Sequence, residues 1–190
     1  RCAPTIQARE AKCAQVQADT GAELVHPYTD PRVIAGQGTA AMELLGTAGT
    51  LDALVVPVGG GGLASGTAIA ARTLAPECHV FGAEPSGAAD TFESLRRGEH
   101  VTDFIPDTIC DGLRGTLGAP DFELLREHGV EVLTVEDADT VAAMRLLWQR
   151  MKLLVEPSSA IALAMVLGNR ERFAGKRVGV ILSGGNVDLD

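Results

Sequence analysis

Three short stretches carry residue types that could do chemistry. The first is LVVPVGGGGLASGTAIAAR (Leu54 to Arg72), where a β-branched run stops at four consecutive glycines and an alanine-rich segment follows. Glycine costs conformational entropy on folding, and a strand-to-helix connection rarely needs more than one or two. Unobstructed backbone N–H groups at a helix N-terminus make an anion site, so a bound phosphate would explain Gly59 to Gly62. The stretch is not a Walker loop, because no Lys-Ser/Thr pair follows. It fits the dinucleotide pattern only loosely, through Gly61 and Gly66, with no suitable acid about 20 residues on at a strand end. A tight turn packing helix on strand would account for one or two of these glycines.

The second stretch is VFGAEPSGAAD, which places Glu84 at a strand tip and Asp90 six residues on, with Pro85, Ser86 and Gly87 between. Two carboxylates converging from a turn, with a free carbonyl between them, suit a hard cation that keeps several waters. The spacing alone fits better a cap on the next helix by Asp90, with Glu84 a solvated strand end. The third, VGVILSGGNVDLD, ends a buried run with Ser183-Gly184-Gly185-Asn186. A serine at a strand tip just before glycines can point its hydroxyl into a site that the chain skirts closely. Ser-Gly-Gly-Asn is also ordinary turn chemistry.

The elements that must hold these stretches alternate. Strands are expected at Ala22–Val25, Ala53–Val58, His79–Ala83, Glu131–Thr134 and Arg177–Leu182. Helices are expected at Thr5–Thr20, within Thr29–Gly49, and at Ala64–Leu74, Ala88–Arg97, Asp121–His128, Asp137–Met151 and Ser158–Leu167, with a long loop from Arg97 to Gly118. Continuous apolar strands alternating with helices predict an α/β fold, a parallel twisted sheet flanked by helices. Ligands of such sheets sit beyond the carboxyl ends of the strands, here loops 58–62, 84–90 and 183–188.

The composition is that of a globular chain, 46% hydrophobic and only 4% aromatic. A formal net charge of −9 argues against a nucleic-acid partner. No apolar run reaches the roughly 18 residues that would span a bilayer. Cys2, Cys13, Cys78 and Cys110 form no CxxC pair, so reduced thiols and a cytoplasmic location are expected. The opening Arg1-Cys2-Ala3-Pro4 reads as the start of a piece of a longer protein.

Taken together, VVPVGGGGL, AEPSGAAD, TICDGL, MKLLVEPSSA and LSGGNVDL resemble, in order and spacing, the serine racemase and serine/threonine dehydratase group. HPYTDPRVIAGQGT matches the same group just before its central sheet. These are pyridoxal-phosphate enzymes of the tryptophan-synthase-β-like fold, and the resemblance covers essentially the whole chain. It implies a fold truncated at its N-terminus, with residues 1–37 a remnant of the small domain and 38–190 the large cofactor-binding domain. It also implies that Gly59, Gly60, Gly61, Gly62 and the backbone of Leu63 cradle the cofactor phosphate. Ser183 would bond the pyridine nitrogen. A neutral hydroxyl cannot hold that nitrogen protonated as a carboxylate would, which suits β-elimination and racemisation better than transamination. Glu84, the Ala88 carbonyl and Asp90 would hold Mg²⁺ or Mn²⁺. Lys152 and Asn186 match nucleotide positions of the racemase branch, with ATP as an effector, and a homodimer is implied.

Pyridoxal-phosphate chemistry needs a Schiff-base lysine. The chain has three lysines, Lys12, Lys152 and Lys176, none in the family's Ser-x-Lys-x-Arg-Gly setting. The lysine and the family's re-face serine are therefore expected outside this chain, which is assigned no catalytic residue and expected to be inactive alone. Missing strands are expected to leave a hydrophobic sheet edge and face exposed. The intact enzyme would act on serine or threonine. The alternatives are a non-catalytic regulatory module that keeps the phosphate site, or an unrelated α/β nucleotide-binding protein.

Overall fold

A computed structural model describes residues 1–3 and 5–188; Pro4, and the Leu189 and Asp190 that close the third stretch, lie outside the described residues. The chain runs α1 (Ile6–Thr20), α2 (Pro31–Ala48), β1 (Ala53–Pro57), α3 (Gly62–Leu74), β2 (His79–Pro85) and α4 (Asp90–Arg97). Then follow α5 (Ala119–Glu127), β3 (Glu131–Val135), α6 (Asp137–Leu146), α7 (Pro157–Gly168), α8 (Arg170–Phe173) and β4 (Val178–Val180).

The four strands form one parallel sheet in the order β3-β2-β1-β4. Every position of β1 is buried, as expected for a central strand covered on both faces. Alternation along it divides the core in two. Leu54 and Val56 pack with Ala41 and Leu45 of α2 and Ala64 and Ala68 of α3, whereas Ala53 and Val55 pack with Ile161 and Met165 of α7.

Local chemistry starts and stops the helices. Thr5 caps α1 by accepting from the Ala8 N–H at 3.2 Å, and Gly21 (φ 70°) ends it. Asp30 caps α2 by accepting from the Arg32 N–H at 2.8 Å, with Pro31 at the first helical position. α2 lies across α3 with two glycines at the crossing. A Cβ on Gly66 would come within 2.4 Å of the Ile34 carbonyl oxygen, and one on Gly38 within 2.7 Å of the Gly66 carbonyl oxygen. The loose dinucleotide reading of Gly66 gives way to this packing role.

Several expectations change. Ala22–Val25 forms no strand; Leu24 and Val25 are about half exposed at 49% and 51%, and an extended segment without a partner is not a sheet. The helix expected from Ala88 starts at Asp90 after a 3-10 turn at Ser86–Ala88. The one expected over Asp137–Met151 is α-helical only to Leu146 and closes in a π turn, Leu147–Met151. That turn ends at Lys152 (φ 58°), the only non-glycine residue with positive φ among the described residues. The face of the sheet is covered. Exposed apolar side chains line instead a cleft of about 510 Å³ between α2, α3 and α5, formed by Pro31, Met42, Ile69, Leu74 and Leu124 among others. No described helix is long and apolar enough to cross a membrane.

Candidate functional site

The three loops singled out by residue type follow β1, β2 and β4, which are neighbours in a parallel sheet. Their carboxyl ends therefore point the same way, and loops 58–62, 84–90 and 183–188 stand side by side on one edge.

The glycine loop runs from β1 into α3 with Gly61 at φ 102°, a conformation that side chains rarely adopt. Gly60 accepts from the Gly118 N–H at 2.9 Å and Gly61 from the Ser65 N–H at 2.8 Å. Among the described residues, no acceptor takes the N–H groups of Gly59 to Ala64. Six consecutive unspent donors at the positive end of a helix fit an anionic phosphate. The glycines are also pressed from behind. A Cβ on Gly60 would meet the Tyr28 ring at 2.5 Å, one on Gly62 the Tyr28 Cβ at 2.9 Å, and one on Gly59 the Leu113 Cα at 2.9 Å. Close packing and anion binding thus ask for the same residues.

The acidic turn assigns its carboxylates the reverse of the capping expectation. Glu84, fully buried, caps α4: its Oε1 accepts from the Thr91 N–H at 2.9 Å and its Oε2 from the Phe92 N–H at 2.7 Å. Burial pushes its carboxyl up to about 8 against those bonds. Asp90 reaches away from its own helix to accept from the Leu117 N–H at 2.8 Å through Oδ2, while its buried Oδ1 has no partner. Burial raises Asp90 to about 6. No described group donates to the Ala88 carbonyl. The orphan Asp90 oxygen and the spare Ala88 carbonyl leave acceptors open to a cation, beside Glu84 oxygens already spent on the α4 amides. Among the described residues, no three His, Cys, Asp or Glu side chains cluster closely enough to bind a metal by themselves.

Ser183 is exposed and makes no hydrogen bond among the described residues. Its turn is held by Glu156, which caps α7: the Glu156 N–H donates to the Gly184 carbonyl at 3.2 Å, and its Oε2 accepts from the Asn186 N–H at 2.7 Å. Next to it, Ser158 Oγ accepts from the Gly112 N–H at 3.0 Å, tying the TICDGL loop to the same helix end. Lys152 is exposed and donates through Nζ to the Gln149 carbonyl at 2.9 Å. Asn186 is exposed on the far side of the Ser183 turn. Lys12 lies on α1, donating to Gln15 Oε1 at 3.0 Å, and Lys176 is exposed after α8. None of the three lysines stands in the strand-end loops.

Residue-type reasoning assigned no chemical role to three contributors. Tyr28, the single tyrosine of the chain, lies against the glycine loop with His26 edge-on to its ring at 4.5 Å. Asp121 is fully buried under Gly61; its Oδ1 accepts from Ser65 Oγ at 2.8 Å and its Oδ2 has no partner. Glu156 is the third. A lone tyrosine two residues before a helix cap, and an acid before Pro-Ser-Ser, were the available signals.

The family of pyridoxal-phosphate dependent enzymes matches residues 1–184. A beta-hydroxyaspartate dehydratase of Paracoccus denitrificans is 50% identical over 189 residues, covering 100% of this chain and 60% of the relative. A serine racemase of Dictyostelium discoideum is 46% identical, with the same two coverages. The crystal structure of a T.th. threonine deaminase superposes with a TM-score of 0.93 at 42% identity, over 99% of this chain and 63% of that one. The chain thus spans about 60% of the length of the curated relatives it matches. Glycine loop, acidic turn and serine turn sit on one sheet edge within a match that runs nearly end to end, and the chain belongs to the pyridoxal-phosphate dependent enzyme family.

Proposed function

We propose that the protein containing this chain is a pyridoxal-phosphate enzyme that eliminates water and ammonia from serine or threonine, or racemises serine. The observation that carries this reading is the run of unspent N–H donors from Gly59 to Ala64, beside the Ser183 turn. Gly59, Gly60, Gly61, Gly62 and the Leu63 amide would hold the phosphate, and Ser183 would offer its hydroxyl to the ring nitrogen. When bound, the cofactor supplies an electron sink that loosens bonds at the substrate's α-carbon. A serine hydroxyl brings no charge to the ring nitrogen, which favours elimination and inversion over transamination. The named relatives act on hydroxyaspartate, serine and threonine, and hydroxy amino acids are the class we assign here.

Glu84, the Ala88 carbonyl and Asp90 would take Mg²⁺ or Mn²⁺. Asp90 also holds the Leu117 amide, and the Leu117 side chain lies under Gly61, so a cation there would steady the floor of the phosphate loop. ATP would act as an effector at Lys152 and Asn186. Residues 1–37 would belong to a small domain and 38–190 to the cofactor domain, in a cytoplasmic homodimer. Exposure of α1 on nearly all sides supports that division, although α2 runs through residue 37 without a break.

The test adds pyridoxal phosphate to the full-length protein and follows cofactor absorbance, ammonia and keto-acid release, and D-serine. No absorbance change at saturating cofactor would refute the assignment. Binding without turnover of any hydroxy amino acid would favour the regulatory module instead. The 190-residue chain alone, reduced with borohydride after incubation, is expected to show only scattered labelling of Lys12, Lys152 and Lys176, with no pyruvate released from serine.

A further inference from the structure

Ser183 stands where the sheet no longer holds the chain. The last hydrogen bond from this segment to β1 is from the Ile181 N–H to the Val55 carbonyl at 2.9 Å. From Leu182 to Val187, the only hydrogen bonds to the rest of the described chain run to Glu156. The same residue caps α7, its carbonyl accepting from the Ser159 and Ala160 N–H groups at 3.1 and 3.0 Å. It is anchored at the helix end on one side and to the turn on the other. The fit is tight: a Cβ on Gly184 would lie 2.8 Å from Glu156 Oε1, and one on Gly185 would lie 2.7 Å from the Leu154 carbonyl oxygen. Behind it, Trp148 Nε1 donates to the Val155 carbonyl at 3.0 Å and fixes the approach to the helix.

We propose that Glu156 is the positioning residue for Ser183: its carboxylate and amide clamp the Gly184–Asn186 turn and so aim the serine hydroxyl. The inference rests on the reading of Ser183 as the partner of the cofactor's ring nitrogen. It predicts that a side chain with no contact to the ring alters the ring's electronic surroundings. What the carboxylate supplies is an acceptor for the Asn186 N–H. Glutamine retains an oxygen in that place and alanine does not.

The experiment compares wild type, Glu156→Ala, Glu156→Gln, Ser183→Ala and the Glu156→Ala/Ser183→Ala double variant in the full-length protein. Backbone amide exchange of the cofactor-free proteins reads the clamp directly. The Asn186 and Val187 amides should exchange at least about tenfold faster in Glu156→Ala, as expected on losing the main restraint on a turn, and near wild type in Glu156→Gln. With pyridoxal phosphate added, Glu156→Ala should shift the cofactor absorbance as Ser183→Ala does and bind it about tenfold more weakly, the loss expected for a missing hydrogen bond. The double variant should add little to Ser183→Ala, because one residue acts through the other. Unchanged exchange in Glu156→Ala would overturn the clamp, whether or not cofactor binds. Additive effects on the cofactor spectrum would overturn the route through Ser183. Failure of the wild-type protein to bind pyridoxal phosphate would defeat the proposed function and the aiming role, while the exchange comparison would still decide the clamp.

Discussion

Asp121 holds its proton more tightly in the folded chain than in the unfolded one, because burial raises its carboxyl from 3.8 to about 6 against the hydrogen bond that Ser65 donates. A raised carboxyl favours the fold below its unfolded value and loses that advantage as pH climbs through the folded value. Asp121 should therefore cost the fold on the order of 2 kcal/mol between about pH 4 and pH 6.5. Asp121→Asn should flatten this part of the melting-temperature profile; an identical slope in wild type and variant would show that other groups set it. Asp90 supports a second prediction. Mg²⁺ or Mn²⁺ should raise the melting temperature of the full-length protein through linkage, and Asp90→Ala should remove that rise. A mutant that responds to metal as the wild type does would leave Asp90 only its bond to the Leu117 amide. The sequence exposed Glu84, Asp90 and the four glycines, because acids and glycines at strand ends break the local pattern. It hid Asp121 and Tyr28, whose roles come from a helix and a loop distant in sequence meeting the glycine loop in space.

The α2–α3 crossing gives a prediction about elements. At Gly38 and Gly66 the backbones themselves approach, with no flexible side chain to yield. Gly66→Ala should cost about 3 kcal/mol by overpacking, seen as a lower denaturation midpoint with an unchanged slope. A cost under about 0.5 kcal/mol would mean the helices can slide apart, as tolerated surface substitutions do. The buried strands and most helices were legible, since β1 is apolar throughout, α7 is apolar after its opening Pro-Ser-Ser, and Pro and Gly punctuate the ends. The strand expected at Ala22–Val25 was not real, because apolar alternation cannot reveal whether a partner strand is present. The π turn was illegible too: Leu147–Met151 keeps helical residue types, and none of them marks the wider turn that ends at Lys152.

At the scale of the whole molecule, exposed apolar side chains gather around one cleft of the described chain. Met42, Ile69 and Leu74, at 50%, 38% and 53% exposure, face the α2–α3–α5 cleft, and β3 and β4 are the outer strands of the sheet among the described residues. In isolation the 190-residue chain should self-associate in sedimentation runs, and Met42→Glu with Leu74→Lys should shift it toward monomer. A monodisperse monomer with a sharp melt would contradict this. The sheet order has a consequence for synthesis. β1 pairs on one side with β2, which follows within a few dozen residues, and on the other with β4, whose Val178 lies opposite Ala53. The Arg177 N–H to Asp52 carboxylate bond at 2.6 Å closes the same long span. As the chain leaves the ribosome, β1 must wait with one edge open while the intervening strands and helices emerge. That edge is sealed by β4, so a nascent chain stalled before Val178 presents a bare β edge to its neighbours.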